Sequence, residues 1–290
     1  MASQIQPSTA VRLNWPANRL AWLGRQLLLV PEAVLLLTLL CLHATFGPTP
    51  IIVGIGIGLV CWFTSRILLL YSARRAVEAA RYERASMLAR MAMRLHPLSA
   101  DAHALLGSVY LGQSNPTAAI EALSCAVRYY PLQAGLHAAL SAALLEDDRP
   151  QEAMIEAGAA LLIDPAYASA YLHQASAEEM LDAPGDLVEQ HLRMGLEQPA
   201  SPADEAALRC ALARLLLRRG AADEARHAAL RVADLLPASP PLQRAELHFQ
   251  LGEILRLVGE PDTARDHFRS SEALDPSGPY AAAAWRAARL

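Results

Sequence analysis

The sequence predicts an all-α protein in two parts: a hairpin of apolar helices able to cross a membrane, then a long stack of amphipathic helix pairs. Three observations carry this prediction. Two apolar stretches, residues 27–46 and 50–71, meet at the turn Gly47-Pro48-Thr49-Pro50. Beyond them proline recurs at a fixed interval of 34 residues, at Pro97, Pro131, Pro165 and Pro199. The chain of 290 residues is dominated by Ala and Leu, and only 6% of it is aromatic. That composition favours helix over strand.

Residues 1–26 read as an interfacial segment. Trp15 and Trp22 share a seven-residue spacing with Arg12 and Arg19, which suits indole rings at headgroup level and arginines facing lipid phosphate. Each apolar stretch has about the 20 residues that a helix needs to cross a hydrocarbon core. Their turn consists of helix breakers without charge, so both chain ends are expected on one side of the bilayer. Arg12, Arg19 and Arg25 precede the first stretch, Arg74, Arg75, Arg81 and Arg84 follow the second, and the turn has none. The positive-inside rule therefore puts both ends in the cytoplasm, in a bacterial inner membrane. Glu32 and Arg66 fall at matching distances from the turn, and an interhelical ion pair is expected because a lone charge in lipid is costly. Gly54 and Gly58, four apart, allow close helix packing against the first span or a second copy.

Charge divides between the two parts. Residues 1–71 hold four arginines and one acid, a balance of +3; the other 21 arginines face 28 acids, a balance of −7. No lysine occurs. A mildly acidic repeat region argues against nucleic-acid binding, which needs a basic face. Cys41, Cys61, Cys125 and Cys210 have neither disulfide-framework nor metal-ligand spacing.

Within the repeats, the first proline series ends helices. A second series, Pro116, Pro150 and Pro184, keeps the same step and opens them, where a missing N–H costs nothing. Two amphipathic helices thus fill each period. The recurring residues are Leu106-Gly107, Tyr110, Ala119, Leu123, Ala126 and Pro131, then Leu140-Ser141, Leu144, Ala153, Ala157, Ala160 and Pro165. A weaker copy runs through Tyr171, Ala175, Leu187 and Pro199. Two more follow insertions of four and five residues: Leu212-Ala213, Gly220, Ala225 and Pro237, then Leu251-Gly252, Gly259, Ala264, Phe268 and Pro276.

This pattern resembles the tetratricopeptide-repeat (TPR) family, whose repeats combine W-x2-L-G-x2-Y, A-x3-F and P. The resemblance implies a right-handed solenoid of about five helix pairs, with a leading half or full repeat and a capping helix. The expected repeats are 66–99, 100–133, 134–167, 168–201, 206–239 and 245–278, with the cap at 280–290. With no breaker after the second apolar stretch, its helix is expected to run on to about Ala79.

Family groove positions, carried over, give Ala104, Ser108 and Leu111; Ala138, Ala142 and Leu145; and Leu172, Ser176 and Glu179. The set continues with Cys210, Arg214 and Leu217, and ends with Phe249, Glu253 and Arg256. The first half is small and apolar, the second larger and mixed in charge, which suits an apolar or helical protein segment. The Lys and Asn of the family's clamp for C-terminal carboxylates have no counterpart in these positions. His103 and His137, one period apart, are expected to pack at the core edge rather than bind metal, and Glu146-Asp147-Asp148 to be a solvated turn.

No catalytic constellation, phosphate loop or metal motif appears, so no enzymatic activity and no cofactor is expected. The expected role is a membrane-tethered scaffold that assembles protein partners at the cytoplasmic face. Alternatives are a structural subunit held in a larger complex through its hairpin, and an assembly factor similar to the cytochrome c maturation proteins with periplasmic repeats. The last conflicts with the arginine distribution and the absence of a substantial cytoplasmic loop.

Overall fold

The computed structural model describes residues 31–289 apart from residues 48, 277 and 279. The expected interfacial segment 1–26 lies outside the described residues. Fourteen α-helices and no strand occur among the described residues. The chain divides into two compact units, Met1–Ser65 and Arg66–Leu290.

The first unit holds α1 (Pro31–Phe46) and the start of α2 (Pro50–Glu78). Gly47 ends α1 with φ +71°, and its N–H donates to the His43 carbonyl (2.9 Å). Thr49 Oγ1 accepts from the Ile52 N–H (3.4 Å) at the start of α2. Ile52, Gly56, Leu59 and Trp62 are the half-buried positions of this stretch, the i, i+4, i+7 spacing of a single helix seam. A Cβ on Gly56 would lie 3.2 Å from Leu39 Cδ2, whereas Gly54 and Gly58 have nothing within 4 Å. Gly56 thus makes the close approach to the first helix. Gly54 and Gly58 are two residues out of phase, about 200° round the helix.

Leu37, Leu40, Ile51, Ile57 and Val60 are each more than half exposed. Among the described residues, one helix, α2, is long and apolar enough to cross a membrane, and 6% of its most apolar window is buried. The expected first span begins at Leu27, and its first four residues lie outside the described residues. The 16 residues of α1 reach only about 24 Å. The Glu32 side chain also lies outside the described residues, while Arg66 is half-buried.

The second unit is a succession of antiparallel helix pairs. The end of α2 pairs with α3 (Tyr82–Leu95), α4 (Ala100–Gly112) with α5 (Pro116–Tyr129), and α6 (Ala134–Glu146) with α7 (Pro150–Ile163). Then α8 (Ala168–Met180) pairs with α9 (Gly185–Leu196), α10 (Pro202–Arg218) with α11 (Ala222–Leu235), and α12 (Pro241–Val258) with α13 (Pro261–Leu274). A short α14 (Ala281–Ala287) follows.

One turn joins the helices of every pair. Its pivot has positive φ: Ala80, Ser114, Asp148 and Asp182, spaced by 34, then Gly220 and Gly259. The next N–H reaches back five residues, as in Asn115 to the Tyr110 carbonyl (2.8 Å) and Arg149 to that of Leu144 (2.9 Å). These are Schellman turns, which satisfy carbonyls orphaned at a helix end. Pro116 and Pro150 occupy the first helical turn. Pro184 differs: it stands one residue earlier, as the N-cap of α9. The late insertions are not loops. They extend the first helix of the pair from 13 residues in α4, α6 and α8 to 17 in α10 and 18 in α12. Pro202 and Pro241 open these extra turns.

Packing between partners is matched in volume. Gly107 faces Leu123 and Gly252 faces Phe268; the equivalent positions are Ser141 with Ala157 and Ala213 with Ala229, and the side chains of Leu123, Ser141, Ala157, Ala213, Ala229 and Phe268 are all buried to 0–1% exposure. A Cβ on Gly107 would lie 2.5 Å from Leu123 Cγ, and one on Gly252 2.7 Å from Phe268 Cε1. A large side chain on one helix is thus met by glycine on the other, because a close-packed interior has no spare volume. Ser141 satisfies its buried hydroxyl by donating to the Ala153 carbonyl (2.7 Å).

Candidate partner groove

Successive first helices present the carried-over positions. Ser108, Arg214 and Arg256 are exposed, and Ala104, Leu111, Ala142, Leu145, Leu172, Ser176, Glu179, Leu217, Phe249 and Glu253 are half-buried. Ala138 (2% exposed) and Cys210 (0%) are not available to a partner. Both are closed off by packing: Ala138 among Ala134, Ala160 and Ala170, and Cys210 within the large core around α10. Burial pushes the Cys210 thiol up to about 12, so it is inert at neutral pH. Phe249 stacks on Tyr280 (centroids 5.2 Å) and tilts against Phe268 (5.7 Å), joining the last pair to its cap.

Of the four charged positions, Glu253 and Arg256 pair with each other, Glu179 pairs with Arg218 outside the set, and Arg214 is exposed. Arg218 bonds Glu179, and Arg256 Nη2 donates to Glu253 Oε2 (2.9 Å). A ligand therefore meets compensated charges at Glu179, Glu253 and Arg256.

One recess of about 220 Å³ draws together residues far apart in sequence. Leu111 and Gly112 end α4, Glu146 ends α6, Glu246 lies in α12, and Tyr82 and Tyr280 come from the two ends of the unit. Tyr280 donates its hydroxyl to Glu246 Oε1 (3.1 Å), as does the Gln250 side-chain amide (3.0 Å). Burial raises the Glu246 carboxyl above the usual range against these bonds and the nearby Arg214. Burial, then the facing Glu246, raises Glu146. Glu146 is thus more than a solvated turn residue: it lies at an exposed rim, opposite a carboxylate 100 positions later in the chain. Of the carried-over set, only Leu111 lines this recess. Tyr82, Glu146, Glu246 and Tyr280 were not legible as neighbours, because curvature over several repeats brings them together.

The period-34 histidines act in the inter-repeat loops. His103 Nε2 lies 3.3 Å from the Pro97 carbonyl and His137 Nε2 3.0 Å from that of Pro131; Tyr171, one period on, donates its hydroxyl to that of Pro165 (3.0 Å). Each ties a helix start to the proline that closed the preceding repeat. His137 Nδ1 also meets Glu156 Oε2 (2.7 Å). Among the described residues, no group of three or more His, Cys, Asp or Glu is placed to hold a metal ion.

No family model and no curated protein matches the sequence. Solved structures do match. PilF of Pseudomonas aeruginosa is 18% identical with TM-score 0.53, over 78% of this chain and 98% of that one. A thermophilic TPR protein from Thermus thermophilus is 22% identical with TM-score 0.57, over 66% and 99%. PilW, a widely conserved type IV pilus biogenesis factor, is 18% identical with TM-score 0.54, over 76% and 98%. At these identities the likeness concerns fold. Taken with the 34-residue motif spacing and the repeated pair geometry, it makes the helix pairs from Arg66 onward a tetratricopeptide-repeat solenoid.

Proposed function

We propose that this protein is a membrane-tethered scaffold whose solenoid groove receives a segment of a protein partner at the cytoplasmic face of a bacterial inner membrane. The observation that supports the reading is the joint presence of an exposed apolar helix, α2, and successive first helices on which Ser108, Leu145, Ser176 and Arg214 are exposed or half-buried rather than covered. Solvent-exposed apolar surface on this scale marks an interaction surface, here lipid. In this reading residues 27–46 and 50–71 both span, arginines flank them on the cytoplasmic side, and Glu32 pairs with Arg66 inside the bilayer. The partner segment is apolar or helical, since Ala104, Ala142, Leu145 and Leu172 offer little for a charged one to bond.

The test is site-specific photo-crosslinking of the full chain in native membranes. Probes at Ser108, Leu145 and Ser176 should yield one shared adduct, and a probe at Leu230 on α11 should not. Equal labelling from all four sites would reject the groove, and release of the chain by alkaline carbonate would reject the tether. A second reading, a subunit held in a larger complex through its hairpin, is favoured by the open faces of Gly54 and Gly58. It predicts that Gly54→Leu abolishes co-purification while the groove probes stay silent.

A further inference from the structure

The solenoid's acidity is not uniform. Residues 72–94 hold six arginines and two glutamates, whereas residues 95–290 hold 15 arginines and 26 acids. The basic stretch is also shaped. A recess of about 250 Å³ lies where α2 turns into α3, lined by Tyr71, Ser72, Arg75, Arg81 and Arg84 with Ala76 and Ala79 as its floor.

The turn builds the recess. Ala80, at φ +54°, reverses the chain, and the Arg81 N–H returns to the Ala76 carbonyl (2.8 Å). Arg75 on the last turn of α2, Arg81 in the turn and Arg84 on the first turn of α3 are thereby brought round one opening. Tyr71 fixes Arg75 through its hydroxyl (3.1 Å from Nε) and the face of its ring (5.6 Å). Glu78 is engaged outside the recess by Arg74 (3.3 Å) and Arg75 (3.6 Å), and no carboxylate lines the opening. Arg81 is the N-cap of α3 and makes no side-chain cap, and Glu83 in the same turn does not line the recess; first-turn N–H groups add the positive end of the helix dipole. Guanidinium groups around an uncapped helix start match a phosphate in charge and geometry.

We infer that this recess binds the phosphate of an anionic lipid headgroup. The lipid source, rather than free phosphate, follows from position: Tyr71 and Ser72 are the residues at which the apolar stretch of α2 ends, where a headgroup would lie. This assignment of source rests on the membrane-spanning reading of α2.

The test uses the full chain in neutral detergent, titrated with phosphatidylglycerol or phosphatidylcholine and read by native mass spectrometry. Phosphatidylglycerol should bind about 10-fold more tightly than phosphatidylcholine, the scale expected for a few basic contacts. Arg81→Gln/Arg84→Gln should remove that preference, and Arg81→Lys/Arg84→Lys should keep most of it. Equal binding of the two lipids, or an undiminished preference in a normally helical Gln variant, overturns the site. Displacement of phosphatidylglycerol by millimolar inorganic phosphate overturns the headgroup in favour of a free anion. Should the Gln variant lose helicity, salt dependence of the wild type decides: a preference unchanged between 50 and 500 mM salt sinks the arginine contacts. Carbonate extraction reports separately on α2, so lipid preference in an extractable chain would defeat the spanning reading alone.

Discussion

Replacing Gly107 by alanine tests how the helix pairs are held together. The new methyl would sit 2.5 Å from Leu123 Cγ and 2.8 Å from Cδ2. Leu123 is 0% exposed, so its branch point cannot swing into solvent. Overpacking of this kind costs roughly 1–3 kcal/mol, and a contact to a branch carbon belongs at the upper end. Alanine returns about 1 kcal/mol through helix propensity, leaving a net loss of about 2 kcal/mol. Leu123→Ala alone empties a buried site and costs about 3 kcal/mol. The double variant recreates the residue combination found at the equivalent positions Ala213 and Ala229, both 0% exposed within one core. The two changes should therefore couple by about 2 kcal/mol, leaving the double variant no less stable than Leu123→Ala. Thermal melts of the full chain in detergent, followed by far-UV circular dichroism, would show Gly107→Ala lowered by about 4–8 °C. A double variant that loses the sum of the single effects would refute volume matching as the basis of pair packing.

Two further outcomes follow from the same structure. Ala80 is an alanine held at φ +54°, where an L-residue pays about 1–2 kcal/mol and glycine does not. Ala80→Gly should therefore raise stability by about 0.5–1 kcal/mol after the unfolded-state entropy of glycine is counted, measured by the same melts. In the second, burial holds His173 and His248 at about 4, below the ordinary 6.5, with His267 and Arg244 adding to the effect on His248. The folded state thus favours neutral rings. Stability is fully present above about pH 6.5 and falls as pH drops from there towards 4, by about 1.4 kcal/mol per unit for each ring. His137 runs the other way, raised first by its bond to Glu156; its contribution is present below 6.5 and is lost as pH rises through its folded value. Melts at pH 7.5, 6.5 and 5.0 should show the acid loss, with a shallower slope in His173→Gln.

What the sequence by itself determined is local. Prolines 34 apart mark helix ends because a ring without an N–H is tolerated only at a first turn or beyond a last one. Gly107 with Leu123 and Gly252 with Phe268 could be read as crossing points because motif spacing fixes which side chains meet inside one pair. The absence of a breaker after Tyr71 sufficed for an unbroken α2 from Pro50 to Glu78. Helix phase was harder: the sequence offers Gly54, Gly56 and Gly58, and that Gly56 is the one facing Leu39 depends on how the helix opposite is rotated.

The groove shows the limit. Curvature sums small rotations over many repeats, so the meeting of Glu146 with Glu246 and of Tyr82 with Tyr280 is written in no single motif. The extra turns opened by Pro202 and Pro241 lengthen α10 and α12 and carry residues such as Gln243 to the recess. The same holds for burial of Cys210 and Ala138, which a motif places on the inner face and a neighbouring repeat covers. Spacing along one helix fixes which residues share a face; only the packed structure decides what that face meets.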